Sequence, residues 1–139
     1  MLLISDANIL IDMEAGELLE TFFRLPMQIG IPDILYREEI EPDTSGLEAL
    51  GLILLEIDGS YVDYAFNLPL QYGTGPSHND YLAIALAKQE SCPLLTGDRA
   101  LRAVAEAEKV ETMGTIWVLE NLSGMPSSMR NTPSTLWKR

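Results

Sequence analysis

Leu2-Leu3-Ile4-Ser5-Asp6 opens the sequence as a short apolar run ending on a carboxylate, and Pro93-Leu94-Leu95-Thr96-Gly97-Asp98 repeats the arrangement 92 positions on. A brief apolar run closed by turn residues is the pattern of a buried strand entering a loop. In an open parallel sheet the carboxyl ends of the strands form one edge, and ligands bind outside that edge. Asp6 and Asp98 are therefore expected to be neighbours.

Strand and helix patterns alternate between and beyond these two runs. Helix is expected over 8–13 and 17–23 with a break at Gly16, then strand over 27–31. Pro32 can start a helix over 33–41, and Pro42 stops it. A turn of helix over 47–51, a strand over 52–57 and a helix over 61–68 ending near Pro69 follow, and then a glycine-rich loop over 71–76. The clearest helix spans 77–89: Ser77 and Asp80 fit a capping box, and Leu82, Ala83, Leu86 and Ala87 share a face. Strand over 94–96, helix over 98–109, strand over 110–113 and helix over 115–122 complete the series. The expected organisation is one α/β domain over 1–122, a three-layer α/β/α sandwich on a mostly parallel sheet, followed by an irregular tail over 123–139.

The 139 residues suffice for one domain with a sizeable core. No apolar stretch reaches the roughly 18 residues that cross a bilayer, and Asp6 and Asp12 stand where a signal peptide carries lysine or arginine. Membrane insertion is not expected, and the cytoplasm is. Cys92 is the single cysteine, so an internal disulfide is excluded. The net charge of −12 is uneven: residues 1–70 carry fourteen acids against Arg24 and Arg37, whereas residues 71–139 carry seven of each sign. The first half lacks the basic patch that non-specific nucleic-acid binding uses, and suits a basic protein partner.

Two further acids sit where they can join the edge: Glu39 on the helix after the second strand, and Asp80 at the start of the clearest helix. Carboxylates held close raise one another's pKa, so gathering them is costly without a cation. Oxygen donors favour Mg²⁺ or Mn²⁺, and a chain with only His78 and Cys92 is a poor zinc binder. Each acid also has a simpler reading. Asp80 and Asp98 can be helix caps worth about 1 kcal/mol, and Glu39 a solvated side chain. Asp6, closing a buried strand, needs a partner in either case. Arg99 and Arg102 fall where the dipole of the following helix disfavours positive charge. A bound phosphate would offset that cost, and Glu106 one turn from Arg102 is the plainer explanation. Gly73-Thr74-Gly75 lacks the ending of a P-loop.

The segments Ser5-Asp6-Ala7-Asn8-Ile9-Leu10-Ile11-Asp12, Tyr36-Arg37-Glu38-Glu39-Ile40, Ser77-His78-Asn79-Asp80-Tyr81-Leu82-Ala83-Ile84-Ala85-Leu86-Ala87 and Leu94-Leu95-Thr96-Gly97-Asp98-Arg99-Ala100-Leu101-Arg102 together resemble the PIN domain. That family contains many ribonucleases, including the toxins of toxin–antitoxin pairs. The resemblance covers roughly 2–122. It implies a catalytic set of Asp6, Glu39, Asp80 and Asp98, with Glu38 an alternative to Glu39, and Asp6, Asp80 and Asp98 holding Mg²⁺ or Mn²⁺. It makes Asn8 and Thr96 polar neighbours of that set, and with Arg99 and Arg102, placed by their position at the helix start, they are the expected substrate-side residues. The expected function is a metal-dependent endoribonuclease acting on RNA, with a basic antitoxin-type partner and a homodimeric state as further expectations. The competing expectations are a PIN-fold binding module working through protein contacts alone and a receiver-like phosphoryl-transfer domain.

Overall fold

The computed structural model describes residues 1–41 and 46–123. Five strands, β1 (Leu2–Ser5), β2 (Gln28–Pro32), β3 (Ile53–Leu55), β4 (Leu94–Leu95) and β5 (Thr112–Met113), form one sheet in the order β3-β2-β1-β4-β5. Every pairing is parallel, and Ile4 of β1 sits between Gly30 of β2 and Leu94 of β4. Leu3 and Ile4 are fully buried at the centre. The helices are α1 (Ala7–Ala15), α2 (Leu19–Phe23), α3 (Asp33–Leu35), α4 (Leu47–Leu50), α5 (Gly59–Tyr72), α6 (His78–Gln89), α7 (Arg99–Ala107) and α8 (Thr115–Ser123).

From β1 the chain builds outward to β2 and β3, then returns to lay β4 and β5 on the other side of β1. Right-handed crossovers in opposite directions place their helices on opposite faces of the sheet. Accordingly α2 touches α1, α4 and α8, while α6 lies on β1 and β2 and is packed against α5 and α7. The result is the expected three-layer α/β/α sandwich. Between β1 and β4 the strand order reverses, which opens a crevice at their carboxyl ends. A receiver-type sheet has the order 2-1-3-4-5, so the observed order removes the receiver-like alternative.

Several elements differ from expectation for physical reasons. Seven consecutive residues of α6, Tyr81 to Ala87, are buried, whereas the sequence pattern predicts one apolar face. Lying between the sheet and α5, the helix has no solvent side to spare. Helix α5 does not end at Pro69 but runs on to Tyr72, shortening the glycine-rich loop. An internal proline costs about 3 kcal/mol in a helix. Here the far end is anchored, because Tyr72 Oη donates to Glu108 Oε2 at 2.6 Å and Tyr81 Oη donates to the Gly73 carbonyl at 2.7 Å. The expected helix over 33–41 is α3 followed by a π-helical turn over Tyr36–Ile40, closed by the Glu41 N–H donating to the Tyr36 carbonyl at 2.8 Å. Tyr36 and Ile40 are both buried, and the widened turn accommodates them while Glu38 and Glu39 stay on the outside. The strands at β3, β4 and β5 are shorter than expected. Pro42 and the tail beyond Ser123 lie outside the described residues.

Candidate active site

Asp6 follows β1 directly and is 0 % exposed. One of its oxygens, Oδ1, accepts from the Ile9 N–H at 3.0 Å, which makes Asp6 the N-cap of α1. The other, Oδ2, accepts from the Thr96 hydroxyl. Thr96, also fully buried, ends the adjacent strand run, and its Oγ1 accepts in turn from the Asp98 N–H at 3.1 Å. The Asp6 N–H donates to the Leu95 carbonyl at 3.1 Å. Strand pairing thus brings the two ends together as the sequence pattern implies.

Asp98 caps α7, with Oδ1 accepting from Ala100 at 2.8 Å and Leu101 at 3.2 Å. Asp80 completes the capping box of α6: its Oδ2 accepts from the Ser77 N–H at 2.9 Å, and its own N–H donates to Ser77 Oγ at 3.1 Å. The sequence pattern assigns caps to two of the acids. Capping accounts for three, because Asp6 caps as well. Each cap leaves carboxylate capacity over: among the described residues, Asp80 Oδ1 and Asp98 Oδ2 accept no hydrogen bond.

The charges of Asp80 and Asp98 both act on Asp6. Burial first, and then these two charges, push its pKa from 3.8 to about 6 against the lowering hydrogen bonds from Thr96 and Ile9. Glu39 is also raised, by partial burial first and then by Asp80 and Glu38. Asp98, Asp6, Asp80 and Glu39 therefore form a chain of mutually repelling acids, with Asp80 linking the outer Glu39 to the buried Asp6. Among the described residues no lysine, arginine or histidine forms an ion pair with any of the four. Nor do any three metal-ligating side chains there already stand close enough to enclose an ion.

Asn79, which precedes Asp80, carries no sequence signal that singles it out. Its Nδ2 donates to Glu38 Oε2 at 3.0 Å, and its amide also counters the rise at Glu39. Its Oδ1 is buried without a hydrogen-bond partner among the described residues. Asn8, in the first turn of α1, is exposed, and among the described residues it has no bond to the acids. Arg99 and Arg102 lie on α7, exposed. Arg102 Nε donates to Thr112 Oγ1 at 3.0 Å and approaches Glu106 Oε1 at 3.4 Å, so the expected pair with Glu106 is present. Both arginines line a cavity of about 470 Å³ with Gly97, Gly114, Trp117 and Glu120. Sequence patterns alone do not connect Trp117 with this edge.

Away from the edge, His78 packs its ring on Phe66 with centroids 4.6 Å apart. Cys92 is partly buried, and its thiol is pushed up to about 11 mainly by burial. Among the described residues no helix is long and apolar enough to cross a membrane. Among curated proteins none matches this chain. A family model described as a PIN domain matches residues 2–125.

Proposed function

Because the chain belongs to the PIN domain family, a nuclease-type fold whose members typically use divalent metals, we propose that it is a Mg²⁺- or Mn²⁺-dependent endoribonuclease whose acids are Asp6, Glu39, Asp80 and Asp98. One observation carries the reading: a fully buried Asp6, raised to about 6 by burial and by two neighbouring carboxylates, with no paired cation among the described residues. A fold keeps such an arrangement at a cost, and a divalent ion removes that cost.

The donor set fits a hard ion. Four carboxylates and the unpartnered Asn79 Oδ1 are all oxygen donors. Asp6, Glu39, Asp80 and Asp98 would hold the ion, which would supply positive charge toward the scissile phosphate and acidify a water. The protein's own groups fix the geometry. Ile9 N–H and Thr96 hold the Asp6 carboxylate in one orientation, and the capping bonds of Asp80 and Asp98 orient those carboxylates with one oxygen each to spare. Arg99 and Arg102 are the cations available to the RNA backbone on this side.

The same reading extends to partners. The acidic first half suits a basic antitoxin-type protein. Phe66 and Leu70 of α5, 59 % and 84 % exposed, suit self-association. The deciding experiment is cleavage of single-stranded RNA by purified protein with Mg²⁺ or Mn²⁺, repeated with Asp6→Asn. Inactivity across varied substrates and both metals would leave the binding module as the better account, with three caps and no chemistry.

A further inference from the structure

The cavity lined by Arg99, Arg102, Gly114 and Trp117 has features that the acid cluster does not explain. In a chain of net charge −12, two guanidinium groups face one hollow beside the strand end that carries Asp98. Arg102 is held in place through Nε by Thr112 and Glu106, and its two terminal nitrogens have no hydrogen bond among the described residues. Arg99 has neither ion pair nor hydrogen bond there. The floor is Gly114, where an added Cβ would stand 3.1 Å from an Arg102 terminal nitrogen and 3.7 Å from the Thr96 carbonyl. A glycine at this point leaves room for the guanidinium, and Thr96 links the floor to Asp6. Trp117, half-buried and packed against the core, supplies an aromatic wall.

We propose that this cavity seats one nucleotide of a single-stranded RNA next to the scissile bond, its base against Trp117 and its phosphate on Arg99 and the free end of Arg102. The choice of RNA rests on the nuclease reading above, whereas the seat itself rests on the cavity walls. A volume of about 470 Å³ is within the range of small-molecule sites. A bare anion would leave Trp117 unused. A base with its phosphate uses both the ring and the cations, and stacking on an aromatic side chain accepts any base.

Trp137 is the only other tryptophan of the sequence, so Trp137→Phe makes Trp117 the sole reporter. In an Asp6→Asn background, which prevents cleavage and lessens repulsion, an eight-nucleotide single-stranded RNA should quench Trp117 fluorescence. Arg99→Ala should weaken binding roughly ten-fold and flatten the log–log salt dependence by about 0.7 for each phosphate no longer neutralised. Trp117→Leu, followed by anisotropy of a labelled RNA, should also weaken binding roughly ten-fold. Arg99 is exposed and unpaired among the described residues, so its variant tests the seat even where Trp117→Leu folds poorly. Quenching by inorganic phosphate at the same concentrations, or binding of a glutamate-rich peptide in place of RNA, would overturn the proposal. Cleavage by otherwise wild-type protein with unchanged KM in both Arg99→Ala and Trp117→Leu would remove the seat and leave the nuclease. Quenching by RNA without cleavage under any metal would do the reverse.

Discussion

The Thr96 hydroxyl donates to Asp6, 90 positions away in sequence and one strand away in space. The same oxygen accepts from the Asp98 N–H, so one side chain fixes both strand-end acids. Thr96→Val should lose that bond, lift the Asp6 pKa above about 6, and strand a buried acceptor at a cost of roughly 1–3 kcal/mol. Its pH–rate profile should move to higher pH, and Thr96→Ser should restore it. An unchanged profile in the valine variant would show that Thr96 does not tune Asp6.

Stability should depend on pH in two opposed ways in metal-free protein. Asp6 has a raised folded pKa, so the folded state binds the extra proton between 3.8 and about 6. Its penalty is absent below that window and complete above it, roughly 3 kcal/mol in all. Glu108 is held low by hydrogen bonds from Tyr64 at 2.5 Å and Tyr72 at 2.6 Å. Its contribution is present above the ordinary glutamate pKa of 4.5 and is lost as pH falls through the lowered value. Melting temperature in chelator should therefore rise from pH 7 towards pH 5 and fall again as pH drops through the lowered Glu108 pKa, below the ordinary 4.5. Asp6→Asn should flatten the first limb and Glu108→Gln the second, as differential scanning fluorimetry can read.

Divalent ions should remove the Asp6 penalty directly. Millimolar Mn²⁺ at pH 7 should raise the melting temperature of the wild type by mass action, and should do little for Asp6→Asn. Equal shifts in the two proteins would place the ion elsewhere.

Cleavage should be abolished by Asp6→Asn, Asp80→Asn or Asp98→Asn, each leaving the circular dichroism spectrum unchanged. Asn keeps an oxygen for the cap in each case, so stability loss should be small. Double variants should be scarcely worse than single ones, as befits groups acting on one centre. Asp12 and Asp63, exposed on α1 and α5, serve as controls that retain activity.

Light scattering should give a mass of about twice the 15.4 kDa chain, and Leu70→Lys should return it to that of the monomer. A basic partner, when found, should bind more weakly as salt rises. A monomer at high protein concentration would remove the α5 face from consideration.

What the sequence made legible were neighbours set by local pattern. An acid closing a buried apolar run pointed to the sheet edge at Asp6 and Asp98, and Ser77 with Asp80 announced the start of α6. What stayed hidden depends on partners far along the chain. Pro69 reads as a stop, and the helix that passes through it is explained by the Tyr72 bond to Glu108 and the Tyr81 bond to the Gly73 carbonyl. The π-helical turn answers a demand to bury both Tyr36 and Ile40, which no helical repeat displays. Trp117 reads as one more apolar residue of a closing helix until β5 sets it beside the start of α7. Asp6 as a cap is hard to see because a strand end explains it already, although a helix begins one residue later.

The strand order also sets when the site exists. Asp6 leaves the ribosome ahead of Thr96 by 90 positions and ahead of Asp98 by 92. Until β4 is made and slides in beside β1, Asp6 lacks its hydroxyl partner and the edge lacks its last acid. The four acids proposed for the site can therefore share one edge only after both strands have emerged, 90 positions of synthesis after the first of them.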